Sequence, residues 1–319
     1  MRHNHAFSWM ILVQLALLCS TFPIIPARAD EPDSRPQVIA TTDGEIDDRC
    51  SMIRFLLYAN EWNIRGIVHS SSKYHWKGNE NVKPQSFEGT EWLDHQLAAY
   101  EKIQPNLALH DPRYPTADRL RSVVYEGNLE YEGDMSEPTP GPNRIVEVLL
   151  EEDPAPVWLQ AWGGMNTIAR ALKTIAEEHP DKRESVAKKA RIFTISLQDK
   201  TYQDYIRPEW PEVMFIHSRG DAFGAIAYGW SQFMTPEQKP YFKKDWMLPN
   251  ILEGHGPLCS MYEAKEQRFR SEGDSPAFMH LIEVGLRSIE SPAYGGWGGR
   301  FHWDGRKWVS VDKKGEHPH

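Results

Sequence analysis

Between Gln37 and Tyr58 the chain reads QVIATTDGEIDDRCSMIRFLLY: a short apolar run, a cluster of carboxylates, then a periodic apolar pattern. Few folds accommodate that order. Val38, Ile39 and Ala40 are short-run, partly β-branched residues that read as a buried strand, and Gly44 marks its end. From Asp47 onward, Met52, Ile53, Leu56 and Leu57 recur at the spacing of one helical face. Strand and helix can then pack on each other as the first half of a βαβ unit. Asp43, Glu45, Asp47 and Asp48 are left at the carboxyl end of the strand, where open α/β sheets bind their ligands. Like charges gathered there repel unless a cation sits among them, and oxygen donors on a turn suit Ca2+ or Mg2+. The same acids have a plainer use, with Asp47 as a helix cap, Glu45 and Asp48 complementing the helix dipole, and Asp43 serving the turn. One cap, however, needs one acid.

Further along, Ile64 to His69 reads as a second strand entering a polar loop that carries Ser70, Ser71, Ser72, Tyr74, His75 and Trp76. Aromatic rings beside hydroxyl and imidazole groups suit a sugar, and they equally suit an ordinary connection. Thr90 to Gln104 and Thr116 to Tyr125 read as scaffold helices. The prolines of Glu137 to Pro142 exclude regular structure, so the next helix is expected from Asn143. Val157 to Ala161, Gly163-Gly164 and Asn166 to Ile175 form another strand, turn and helix, with Asn166 placed to cap. Strands are expected again at Ile192 to Leu197 and Val213 to Ile216. The polar and aromatic excursion between them offers Asp199, Asp204 and Trp210 as sugar contacts. Asp274 stands ready to cap a helix starting at Ser275 and Pro276.

Met1 to Ala29 reads as a secretory signal: Arg2, His3 and His5, an apolar run from Trp9 to Leu18, and a small-residue cleavage site at Ala27-Arg28-Ala29. The expected organisation is therefore a signal peptide, residues 1–29, and one domain, residues 30–319, secreted or periplasmic, with no membrane span after cleavage. Loss of Arg2 and Arg28 takes the net charge two units below -9, a poor balance for holding a nucleic acid polymer by its phosphates. Cys50 and Cys259 remain, either as one disulfide or as free thiols.

The run Thr41-Thr42-Asp43-Gly44-Glu45-Ile46-Asp47-Asp48 resembles the amino-terminal signature of the inosine-uridine nucleoside hydrolases, with Thr41 in place of the first aspartate and Gly44-Glu45 in place of Pro-Gly. Extended to Ser72, it looks like the secreted nucleoside hydrolase-like branch often labelled cellulose-binding protein. The resemblance implies an α/β Rossmann-like nucleoside hydrolase fold, a mainly parallel central sheet flanked by helices. It implies Ca2+ held by Asp43, Asp48, the Asn166 carbonyl (at the corner Gly163-Gly164-Met165-Asn166-Thr167) and Asp274. Where those enzymes often place a leaving-group histidine before the last aspartate, this chain has Gly273. Relatives in the cellulose-binding branch commonly continue into a β-sandwich, which this chain, ending at His319, is expected to lack.

The function expected on these grounds is calcium-dependent hydrolysis of a glycosidic bond in a nucleoside, furanoside or oligosaccharide. Asp43 would be the catalytic base and a metal ligand, and Asp47 would hold a sugar hydroxyl. Ser72, His75, Trp76, Asp204 and Trp210 would line the sugar site. The partner is a sugar-containing small molecule or oligosaccharide, and a homo-oligomer is compatible with the sequence. The alternative is a non-catalytic carbohydrate-binding protein on the same fold. A phosphatase of the haloacid dehalogenase type would need an aspartate nucleophile where Thr41 stands.

Overall fold

The computed structural model describes residues 33–219, 236–237, 239–265, 268–269, 272–283 and 285–311. The expected signal peptide lies outside the described residues. By its internal contacts the chain divides into Met1–Ser34 and Arg35–His319, and the sheet belongs to the second unit.

Its centre is an eight-stranded sheet. In chain order the strands are β1 (Gln37–Thr42), β2 (Asn63–His69), β3 (Val124–Glu126), β4 (Val157–Ala161), β5 (Ala190–Ile195) and β6 (Met214–Ser218). A small separate ladder pairs β7 (Ala264–Lys265) with β8 (Arg268–Phe269), and the sheet is completed by β9 (Phe301–Trp303) and β10 (Trp308–Ser310). The spatial order is β3-β2-β1-β4-β5-β6-β10-β9, parallel throughout except for the last, antiparallel pair. The order reverses between β1 and β4, which makes their carboxyl ends the crevice of a doubly wound sheet.

Alternation along β1 supplies both faces. Val38 and Ala40 join a core with Met52 and Phe55 of α1 (Ile46–Leu57), Leu93 and Leu97 of α2 (Glu91–His110), and Phe278. Ile39 points the other way, into a core built by α4 (Pro140–Leu150), α5 (Asn166–Glu178) and α6 (Arg183–Lys189). The short α3 (Ala117–Arg121) lies between α2 and β3. Helices on both faces bury both sides of the parallel sheet, as such a sheet requires.

Three expectations change. The helix expected over Thr116 to Tyr125 ends at Arg121: the Ile67 amide donates to the Val123 carbonyl at 2.8 Å, and Val124 to Glu126 add the edge strand β3. β-Branched residues beside an open strand gain more there than in a helix. The proline run does not exclude a helix, because Pro140 and Pro142 occupy the first turn of α4, where amides need no intrahelical partner. Helix α2 continues past Pro105 to His110, with Ile103 and Leu107 packed on the core either side of it. The glycine- and aromatic-rich stretch Tyr294 to Trp303 runs into β9, which with β10 forms one edge of the sheet. Cys50 and Cys259 are both free thiols.

Candidate active site and cation cluster

Parallel register brings the ends of three strands level: Thr41 pairs with Val68 and Ala161, and Thr42 with His69. The residues that follow, Asp43, Ser70 and Trp162, therefore share one edge. Gly44 takes φ +74°, a left-handed conformation, and a Cβ there would meet the Trp92 indole nitrogen at 2.8 Å. The turn it makes sends the chain from β1 into α1 within four residues and leaves Asp43 facing the β4–α5 corner. There Gly163 leaves room for it: a Cβ at 163 would lie 2.8 Å from the Asp43 Cβ and 2.9 Å from its Cγ.

Four aspartates from two distant segments meet at this edge. Donor oxygens of Asp47, Asp48 and Asp274 lie within 4.8 Å of one another, and all three residues are buried. Asp43 adjoins them, near enough for its charge to act on Asp48 and Asp274. Asp274 reaches the group because its backbone amide donates to the Ser51 hydroxyl of α1 at 3.1 Å. The Thr42 hydroxyl donates to Asp48 Oδ1 and also accepts from the Gly44 amide at 3.2 Å, fixing both the turn and the carboxylate. Burial, followed by the charges of Asp274, Asp43 and Asp47, pushes the Asp48 carboxyl well above its ordinary range. Burial, then Asp47 and Asp43, does the same to Asp274.

The acids are not spent on capping. The residue at the α1 cap position is Glu45 and that of the Ser275–Met279 helix is Asp274, and neither side chain accepts a capping hydrogen bond. Asp274 Oδ2 and Asp43 Oδ2 are buried with no hydrogen-bond partner. Crowded, buried carboxylates with unsatisfied oxygens are the donor set a hard cation requires. The fit to Ca2+ is thus good on the carboxylates.

Asn166 is fixed through its side chain. Its amide Nδ2 donates to the Asn128 and Asp134 carbonyls at 2.9 and 3.0 Å, and its Oδ1 accepts from Ser70 at 2.9 Å. It opens α5, at the corner that faces Asp43. Its side chain is not the cap of α5. Asp199 takes that part from outside the helix, its Oδ2 accepting from the Met165 and Asn166 amides at 2.7 and 3.0 Å.

The β2 loop approaches from the other side. The Ser72 hydroxyl accepts from the Tyr74 and His75 amides, and the Ser72 amide donates to the His75 carbonyl, a closed turn that sets the His75 ring against Asp43. His75 Nδ1 stands 3.5 Å from Asp43 Oδ2. Burial, which would push the Asp43 carboxyl up, is outweighed by this imidazole, and the net shift is downward. Half-buried Trp76 is held by a bond from its indole to the Lys83 carbonyl at 2.8 Å.

Of the three residues expected as sugar contacts in this excursion, Asp199 caps α5 and Trp210 is taken by the core. Trp210 is 2 % exposed, packed in the second core with the Arg183 guanidinium 4.8 Å above its ring. Asp204 is exposed on the turn Tyr202–Ile206. Of the residues that sequence reasoning passed over, Thr42 and Ser51 position the acids; Glu45, read as a member of the acid cluster, groups with Asp43 and His75. Nothing local marks Ser51, whose partner lies 223 residues away.

Residues 37–301 match the sequence model of a family described as cellulose-binding Sde182, nucleoside hydrolase-like domain. The chain is similar to the solved structure of a nucleoside hydrolase-related hypothetical protein from Saccharophagus degradans associated with carbohydrate metabolism. The two are 27 % identical with a TM-score of 0.70, over 88 % of this chain and 67 % of that one. A plant nucleoside hydrolase aligns at 12 % identity and a TM-score of 0.45, over 79 % of this chain and 80 % of that one. No curated protein sequence matches the chain.

Proposed function

Because the chain belongs to the Sde182 cellulose-binding family with a nucleoside hydrolase-like domain, we propose that it is an exported, calcium-dependent hydrolase of glycosidic bonds. Its substrate would be an oligosaccharide, furanoside or nucleoside. The observation that carries this reading is the meeting of Asp43, Asp47, Asp48 and Asp274, buried and not used as helix caps, at the switch point of the sheet.

Asp43, Asp48, Asp274 and the Asn166 carbonyl would hold Ca2+, with Asp47 beside them. When bound, Ca2+ supplies a positive centre that orients sugar hydroxyls and a water at the reacting carbon. Asp43, kept ionised by His75, takes the proton of the attacking water. Asp47 accepts a hydroxyl of the sugar, a bond that strengthens as positive charge develops on the ring. Ser72 fixes the loop carrying His75 and Trp76, which close the sugar side. Gly273 supplies no proton to the departing group, so a leaving group that needs no protonation at that position is favoured.

The signal at residues 1–29 would be removed on export, leaving residues 30–319. No helix among the described residues is long and apolar enough to cross a membrane.

A non-catalytic role is favoured by Gly273 and by the family's description as cellulose-binding. Calcium titration calorimetry with reducing-sugar and nucleobase release assays separates the two. Calcium-dependent turnover that is lost in Asp43→Asn supports the hydrolase. Tight binding of cello-oligosaccharides with no turnover of any panel member supports the binding protein, and no calcium binding at all overturns the cation site.

A further inference from the structure

Beside the Asp47, Asp48 and Asp274 group stands a second constellation of different chemistry. Donor atoms of Asp43, Glu45 and His75 lie within 4.8 Å of one another. We infer that these three residues bind a second divalent cation of the first-row transition type, such as Zn2+, adjoining the calcium position and using Asp43 Oδ2. The inference rests on the proposed reading for the first cation and revises one role in it: with the second ion bound, His75 is a neutral ligand, and the ion rather than the imidazole keeps Asp43 ionised.

The central observation is an unmade contact. Asp43 Oδ2 and His75 Nδ1 are buried, face each other, and have no hydrogen-bond partner. The Asp43 side chain is 1 % exposed. Their separation of 3.5 Å exceeds a charge-assisted hydrogen bond of about 2.7–2.9 Å. It does match two ligands of one ion. With bonds of about 2.1 Å to each, that separation subtends about 110° at the metal, a tetrahedral angle. Glu45, half-buried at the start of α1, has the reach to close the third side by rotation of its side chain.

The donor types select the ion. Ca2+ takes oxygen ligands, and the all-carboxylate group suits it. An imidazole nitrogen with two carboxylates suits Zn2+, Mn2+ or Fe2+ instead. The nitrogen is also held in place before any ion arrives, because the Ser72–His75 turn is closed by hydrogen bonds at 2.9, 3.0 and 3.2 Å. A preset nitrogen and a preset carboxylate oxygen lower the ordering cost of binding.

The test is titration of Zn2+ into untagged, metal-stripped protein in saturating Ca2+, with Co2+ as a spectroscopic substitute whose visible bands report nitrogen and oxygen coordination. The expected result is one Zn2+ equivalent beyond the Ca2+ equivalent, weakened at least tenfold in His75→Ala and in His75→Gln, with Ca2+ affinity kept within about threefold. Asp274→Asn should do the reverse, losing Ca2+ and keeping Zn2+. If the protein binds no Ca2+ yet His75→Ala still loses Zn2+, the calcium reading fails and this one stands. Equal Zn2+ binding by wild type and both His75 variants, displacement of Ca2+ by Zn2+ at a single shared site, or no Zn2+ binding would each overturn the inference and leave His75 as an ion-pair partner of Asp43. Circular dichroism of each variant checks the fold, and His75→Gln keeps the side-chain volume should His75→Ala perturb the turn.

Discussion

Asp48 shows most plainly how one residue can serve a site at the expense of the fold. Its carboxyl is buried among Asp43, Asp47 and Asp274, and it raises the energy of the cation-free protein whenever it ionises. A carboxyl whose pKa is higher folded than unfolded contributes stability below its unfolded value and loses it as pH rises through its folded value. At neutral pH the cation-free protein therefore carries that penalty, and a cation removes it. Asp48→Asn keeps an oxygen to accept the Thr42 hydroxyl while deleting the charge. It should stabilise the protein in chelator at pH 7 by about 1 kcal/mol or more, a pKa unit being worth about 1.4, and should lose calcium binding. Scanning calorimetry in chelator and in Ca2+ measures both. A variant less stable than wild type in chelator would show the carboxylate to be structural. Residue types and spacing made Asp43, Asp47 and Asp48 legible in the sequence, since three aspartates within six positions after an apolar run must crowd together at one strand end. Asp274 was legible only through resemblance, and Ser51, which holds it, was not legible at all. Trp210 carried the right side chain for a sugar site, but composition does not say which aromatic ring the core will claim.

At the scale of elements, two strand-to-helix corners make the site, and each can be broken by itself. Gly163→Ala puts a Cβ 2.8 Å from that of Asp43, with no flexible end to give way. Calcium affinity should fall at least tenfold, and the overpacking should cost about 1–3 kcal/mol of stability as well; calorimetric titration with wild-type affinity would mean that the corner yields elsewhere. Asp199→Ala leaves the Met165 and Asn166 amides buried without their acceptor and also removes the bonds to Thr201. The expected cost is about 2–4 kcal/mol in urea denaturation, more than an exposed cap because the orphaned donors are buried. A loss under about 1 kcal/mol would mean that water replaces the carboxylate. Both corners were legible as strand, glycine turn and helix because period and turn residues are local signals. The capping residue was not, since Asp199 reaches α5 from the loop after β5, 33 residues beyond the helix start it caps. The helical start at Pro140 and the strand at Val124 were misread for a related reason, the deciding partner being a neighbouring element rather than the segment's own composition.

For the whole molecule the stability curve against pH carries the signature of what the core has enclosed. His280 is fully buried among Trp158, Phe193 and Phe301, and burial holds its imidazole down to about 4; burial does the same to His69, also to about 4. Between an unfolded value near 6.5 and that folded value, the unfolded chain binds protons the folded chain does not. Stability is therefore full above the unfolded value and is lost as pH falls toward the folded one. From pH 7 to pH 5, His280 should account for a loss of about 2 kcal/mol, and His280→Leu, measured in Ca2+ to quiet the carboxylates, should abolish that share. Urea titrations giving the same pH dependence for wild type and His280→Leu would contradict it. The sequence by itself determined the pieces: the strand, acid turn and helix of residues 37–58, the glycine corner after β4, and the α/β class, because these rest on periodicity and turn chemistry spanning a few residues. Only the tertiary structure decided which carboxylates meet, that none of them caps a helix, and that His75 faces Asp43 across 3.5 Å. Those facts depend on parallel register and on burial, which place residues far apart in the chain at one sheet edge and strip them of water, and neither is written in any single segment.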